Sequence, residues 1–206
     1  RHVHFKRTPE TMKAVILASG RGSNAETLFL KTQNGEIPNT EFTELISDKP
    51  DAPALGVAKK FGIKSRYIDT QKAGARFSPD GAQSYISAIR ESGAELVVLA
   101  GFMKILPPEF VAAFPSRIIN LHPSLLPSFR GRDAIKQAFD FGVKICGCTV
   151  HFVNDVLDGG EIIAQKAVEI PPEYDLEKLE EKVHEAEHIL LPRVVADIAQ
   201  GKIKIG

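Results

Sequence analysis

The sequence predicts an α/β protein with a Rossmann-like, mostly parallel open sheet, helices on both faces, and an antiparallel hairpin toward the C-terminal end. Three observations predict it. The runs Lys13–Ala18 (KAVILA) and Glu95–Ala100 (ELVVLA) are apolar without alternation, the pattern of strands buried on both faces. Helical stretches separate the strand-like runs, which calls for crossovers and parallel pairing. Near the end, Cys146–Val153 and Glu161–Glu169 are joined only by Asn154–Gly160, a connection too short for a crossover.

The elements follow in order. After Lys13–Ala18 come Ser19-Gly20-Arg21-Gly22-Ser23-Asn24 and a helix to about Lys31, stopped by Asn34-Gly35. Ser23 and Glu26 have capping-box spacing. A weaker strand at Glu44–Ser47 lies within a longer run from Thr40, and a short helix spans Ala52–Phe61 up to Gly62. Lys64–Ile68 is a strand, Thr70–Pro79 a polar loop, and Asp80–Ser92 a helix with Tyr85, Ile86 and Ile89 on one face. Pro107–Phe114 makes one helical excursion before the strand Arg117–His122, and Asp133–Phe141 is helical. A long amphipathic helix covers about Leu176–Ala199, with Pro192 expected to kink or interrupt it, and Lys202–Ile205 reads as a last short strand.

Composition narrows the function classes. The 206 residues, 43% of them hydrophobic, suit one globular domain. Charges balance at 26 basic and 26 acidic with no Lys/Arg-rich run, so nothing proposes a nucleic-acid or anionic-membrane surface. No apolar stretch reaches transmembrane length, and no signal-peptide pattern is present. Cys146 and Cys148 alternate on one strand and share its face, which suits reduced core thiols and a cytoplasmic setting. No Cys/His cluster has zinc spacing, so no metal is expected. Residues 1–11 (RHVHFKRTPET) are polar and aperiodic and read as a linker or disordered arm before a domain at 12–206. Met12 as a native start and the arm as the remnant of an upstream domain both stay open.

Arg117–Gly131 (RIINLHPSLLPSFRG) carries the chemistry. Its strand stops at Pro123, and alternation sets Asn120 and His122 on one face, Ile119 and Leu121 on the other. Alone, such a polar pair caps a strand and ties down the following loop. Its surroundings favour catalysis. In an open parallel sheet the ligand cleft lies beyond the carboxyl ends of the strands, where Ser19-Gly20, Gly101-Phe102-Met103 and Asn120-Leu121-His122 converge. The glycine loop before a helix is either an anion site or a tight turn. Met103 to Leu106 offer an apolar wall. Asp158, in LDGG, is the nearest acid partner for His122 in sequence, and equally a common Asp-Gly turn residue. Asn120 offers a donor to an oxygen gaining negative charge. No Ser or Cys has a nucleophile's surroundings, so direct acyl transfer to an amine fits better than covalent catalysis.

Four motifs carry a resemblance: SGxGSN after the first strand, AGFMKIL after the fourth, NLHPSLLP, and HFVNDVLDGG. In this order and spacing the chain resembles the phosphoribosylglycinamide formyltransferases over essentially Lys13–Gly206. The resemblance implies formyl transfer from 10-formyltetrahydrofolate to the amine of glycinamide ribonucleotide in purine synthesis. It implies a catalytic trio of Asn120, His122 and Asp158. Gly22, Ser23, Asn24 and Glu187 would hold the ribonucleotide, and Met103, Lys104, Ile105, Leu106, Asn154 and Asp155 the folate. The folate is a cosubstrate, so no bound cofactor is implied. Fusion to purine-pathway domains upstream is a further implication, since animal relatives are fused. Lys104 stands where relatives often carry Arg, keeping the charge but not the bidentate fork. The poorly matching Thr70–Pro79 loop leaves open whether Arg76 is the family's phosphate-contacting arginine, and His151 reads as either a family residue or a core histidine.

Rival assignments rest on shared pieces. Methionyl-tRNA formyltransferases have a similar SLLPxxRG stretch but need an RNA-binding domain. Formyltetrahydrofolate deformylases use the same donor but lack the SGxGSN turn. From another class, Gly20-x-Gly22-x-x-Ala25 satisfies the dinucleotide fingerprint, with Asp48 near the place of its ribose-binding acid, so an NAD-binding oxidoreductase remains an alternative. It accounts for neither NLHPSLLP nor LDGG.

Overall fold

A computed structural model describes residues 10–206; the arm expected at 1–11 falls chiefly on residues outside that range. In chain order the elements are β1 (Met12–Leu17), α1 (Ser23–Gln33), β2 (Thr40–Ser47), α2 (Pro53–Lys60), β3 (Lys64–Tyr67), α3 (Pro79–Glu91) and β4 (Leu96–Leu99). There follow α4 (Pro108–Ala113), β5 (Ile118–His122), α5 (Ala134–Phe141), β6 (Ile145–Phe152), β7 (Ile162–Glu169) and α6 (Leu176–Ala199). A 7-stranded sheet has the order β3-β2-β1-β4-β5-β6-β7. The pairs from β3 through β5 are parallel, whereas β5–β6 and β6–β7 are antiparallel. The strand order reverses between β1 and β4, which is where such sheets open a ligand crevice.

Strict side-chain alternation explains the continuous apolar runs. Ala14, Ile16, Leu96, Val98, Ile119 and Leu121 face one cluster, packed by residues of α1, α2, α5 and α6. Val15, Leu17, Val97, Leu99 and Ile118 face the other, packed by Tyr85, Ile86 and Ile89 of α3 and Phe110 of α4. Cys146 and Cys148 lie together in the first cluster as free thiols, and burial pushes them up to about 11 and about 12.

Three expectations are corrected. The Ser23–Glu26 capping box does not form: Gly22 is the N-cap, and Glu26 instead pairs with Lys60 at 2.9 Å. Helix α6 runs unbroken through Pro192, which is buried within it. Tertiary packing outweighs the hydrogen bond a proline removes. Lys202–Ile205 is not a strand: the N–H groups of Lys202 and Ile203 turn back onto the Asp197 carbonyl, at 2.9 and 3.2 Å, as the chain leaves α6. The C-terminal residue is instead tied by Gly206 N–H to the Ser116 carbonyl at 3.2 Å, and its own oxygen accepts from Arg117 Nε at 2.5 Å. Among the described residues, no helix is long and apolar enough to cross a membrane.

Candidate active site

The turn from β1 into α1 is shaped by Gly22. Its φ of 83° suits glycine, and a Cβ there would lie 2.8 Å from Ala54 Cα, so α2 also excludes any side chain. No side chain caps α1, so N–H groups of its first turn keep no capping partner. A helix N-terminus of this kind attracts an anion. Asn24 donates through Nδ2 to Glu187 Oε2 at 3.0 Å, and His184 Nδ1 donates to the same oxygen at 2.9 Å. Glu187 on α6 is 4% exposed, and Asn24 Oδ1 is buried with no hydrogen-bond partner among the described residues. The sequence-predicted Gly22, Ser23, Asn24 and Glu187 therefore meet in one place. The hydrogen bond to Glu187 raises the pKa of His184.

A second polar hub joins the loops after β1, β2 and β4. Ser19 Oγ donates to Asp48 at 2.5 Å and accepts from Met103 N–H at 2.8 Å. Lys104 Nζ lies 3.8 Å from Asp48 and donates to the Gly74 carbonyl at 2.6 Å, while Ile105 N–H reaches the Ala75 carbonyl at 2.7 Å. Asp48, 3% exposed at its side chain, is thus held between Ser19 and Lys104. Lys104 faces this hub and binds the loop before α3. Met103 and Ile105 are exposed, whereas Leu106 turns into the core under α4.

At the end of β5 the structure brings Asn120, His122 and Asp158 together. His122 Nε2 donates to the Phe129 carbonyl at 2.9 Å, and its Nδ1 stands 3.5 Å from Asp158 Oδ2. That carboxylate oxygen also accepts from Gly131 N–H at 2.8 Å. His122 is 5% exposed. Asn120 Nδ2 lies 3.2 Å from His151 Nε2, and the latter is 3.9 Å from Asp158 Oδ1. Burial lowers the pKa of His151. Asp158 reaches β5 because the 154–160 segment folds back on β6. A Cβ on Gly160 would sit 1.7 Å from the Phe152 carbonyl oxygen, and Asp158 itself has φ 49°. Asn154 Oδ1 is occupied by Val156 N–H at 2.9 Å, closing the turn, and Asp155 is exposed. No group of three or more His, Cys, Asp or Glu among the described residues is placed to hold a metal ion.

With that geometry, the comparisons decide the family. A formyl transferase family model matches residues 12–195. The chain belongs to the formyl transferase family. Phosphoribosylglycinamide formyltransferase from Bacillus subtilis (strain 168) is 38% identical over 188 residues, covering 90% of this chain and 94% of that protein. A crystal structure of phosphoribosylglycinamide formyltransferase from Anaplasma phagocytophilum superposes with a TM-score of 0.86 at 40% identity, covering 96% of this chain and 91% of that one. The trifunctional purine biosynthetic protein adenosine-3 of Gallus gallus is 38% identical over 208 residues; all of this chain is covered, but it spans only 20% of that longer protein.

In this formyl transferase, sequence reasoning missed three contributors. His184 was recoverable from its i−3 spacing to Glu187 on a helix. The Phe129 carbonyl and Gly131 N–H that flank His122 and Asp158 carry no side-chain signal at all. The mutual position of Asn120 and His151 depends on the β5–β6 register.

Proposed function

We propose that the chain transfers the formyl group of 10-formyltetrahydrofolate to the amine of glycinamide ribonucleotide in purine biosynthesis, in a cytoplasmic setting. The observation that carries it is the convergence of Asn120, His122 and Asp158 at the end of β5, in a sheet whose strand order reverses between β1 and β4 and whose β1 leads into an uncapped helix N-terminus. Family membership and near-full-length relatives named for this activity support the same reading.

The chemistry follows from the groups. The ribonucleotide phosphate sits on N–H groups of Gly22, Ser23 and Asn24, and the ribose hydroxyls donate to Glu187. The folate lies against Met103 and Ile105 and the Asn154–Asp155 turn, with Leu106 backing that wall from the core and Lys104 fixing its rim. The amine attacks the formyl carbon, forming a C–N bond and a tetrahedral oxyanion that Asn120 and His122 stabilise. Collapse breaks the bond to the folate N10. The proton lost by the attacking nitrogen passes through the His122–Asp158 pair and water to that N10, so the folate leaves as neutral tetrahydrofolate. Charge and atoms balance without a further reactant, and 10-formyltetrahydrofolate acts as cosubstrate.

The test is to incubate the protein with 10-formyltetrahydrofolate, with and without glycinamide ribonucleotide, and follow loss of the formyl group. Loss that requires the ribonucleotide and yields its formylated product is expected. Loss without it, releasing formate, would move the chain to the deformylase activity.

A further inference from the structure

Asn120 serves an oxyanion only when an amide N–H faces it, yet an amide turned by half a revolution fits the same space with its oxygen there instead. His151 removes that freedom. It lies opposite Asn120 in the antiparallel β5–β6 register and is 2% exposed. Its Nδ1 is 2.8 Å from the Phe152 carbonyl, which only accepts, so Nδ1 carries the ring hydrogen. In the neutral ring Nε2 is then a bare acceptor, 3.2 Å from Asn120 Nδ2. Amide oxygen in that place would set acceptor against acceptor.

We infer that His151 is a positioning residue acting through Asn120: the unprotonated Nε2 takes one amide N–H and so turns the other toward the reacting oxygen. The inference rests on the proposed role of Asn120 in formyl transfer. It also gives His151 a pH-dependent effect. A proton on Nε2 converts the acceptor into a donor, which opposes the Asn120 NH₂ and is drawn to Asp158 Oδ1, 3.9 Å away. The titratable groups facing this ring are Asp158, from the 154–160 segment, and His122, from β5. Burial keeps His151 neutral at neutral pH by lowering its pKa. Below that range Asn120 loses its anchor.

His151→Gln and His151→Leu test this beside the wild type. Glutamine returns an acceptor oxygen near the place of Nε2 and does not titrate; leucine returns neither. His151→Leu is expected to lower kcat by roughly 10- to 100-fold, the scale of a misplaced catalytic group, with KM for both substrates changed less than about threefold. His151→Gln is expected to keep most of the wild-type kcat at neutral pH and to move the acid limb of its pH profile to lower pH. A leucine variant within about twofold of wild type, or a glutamine variant whose acid limb superimposes on the wild-type curve, overturns the inference. If leucine prevents folding, the glutamine profile decides alone. Wild-type protein that formylates no ribonucleotide in the same assay would sink the proposed function, whereas active wild type with unaffected variants sinks only the role of His151.

Discussion

The two nitrogens of the His122 ring meet unlike surroundings, a carbonyl at Nε2 and a carboxylate at Nδ1. In the proposed mechanism, proton traffic therefore runs on the Nδ1 edge, which faces a group able to exchange a proton. Replacing Asn120 or His122 by Ala is expected to lower kcat by roughly 10²- to 10⁴-fold with the far-ultraviolet circular dichroism unchanged; near-normal rates would reject both roles. Asp158→Asn keeps an oxygen for Gly131 N–H but loses the charge beside His122. Its single-turnover rate is expected to fall far more than its affinity for the ribonucleotide, measured by equilibrium binding. At this scale the site was legible where local pattern sufficed. Asn120 and His122 stood out as polar residues on one face of an apolar strand. Lys104 shows the limit: sequence gives a charged residue beside the cleft, but its direction is set by Asp48 and Gly74, remote in sequence.

Elements carry their own consequences. The return of the chain after β6 needs Gly160, since a Cβ would strike the Phe152 carbonyl at 1.7 Å. Gly160→Ala therefore shifts Asp158 off His122. Activity is expected to drop at least tenfold with little change in ribonucleotide affinity, and a fully active variant would contradict the fold-back. On α6, His188 Nε2 is buried without a partner among the described residues, and burial lowers its pKa. The unfolded chain takes a proton near pH 6.5 where the native ring resists it. Its effect on stability is thus fully present above that pH and is lost as pH falls. His151 has the same sign, and His184, raised by Glu187, the opposite one. His188→Leu is expected to gain about 1 kcal/mol at pH 7, and more at pH 5.5, in urea unfolding. An equal gain at both values would contradict the linkage. Element types were legible because buried strands and amphipathic helices have distinct periods. The cap at Gly22 and the fate of Lys202–Ile205 were not, since each is decided by a contact without a sequence pattern: Ala54 crowds one, and the Asp197 carbonyl holds the other.

Across the whole molecule, the groups proposed for binding and those proposed for chemistry lie on different elements. The groups proposed for the ribonucleotide lie at the start of α1 and on α6, whereas the trio lies on β5 and the β6–β7 connection. Asn24→Ala is expected to raise KM for the ribonucleotide, and Asn120→Ala to lower kcat. Combined, their effects on kcat/KM should multiply to within about twofold, as for sites without shared partners. A strongly non-multiplicative double variant would show that the two sets of groups act as one unit. The parallel half was readable from alternation of strand and helix, and the hairpin from its short connection. The β5–β6 antiparallel pairing was readable only as a mixed sheet, because an intervening helix permits either direction.

That division also bears on descent. All three groups of the proposed trio ride on one antiparallel block, β5 to β7, and none of the hydrogen bonds around them comes from the glycine turn after β1. A lineage that exchanged that turn would leave those hydrogen bonds unaltered.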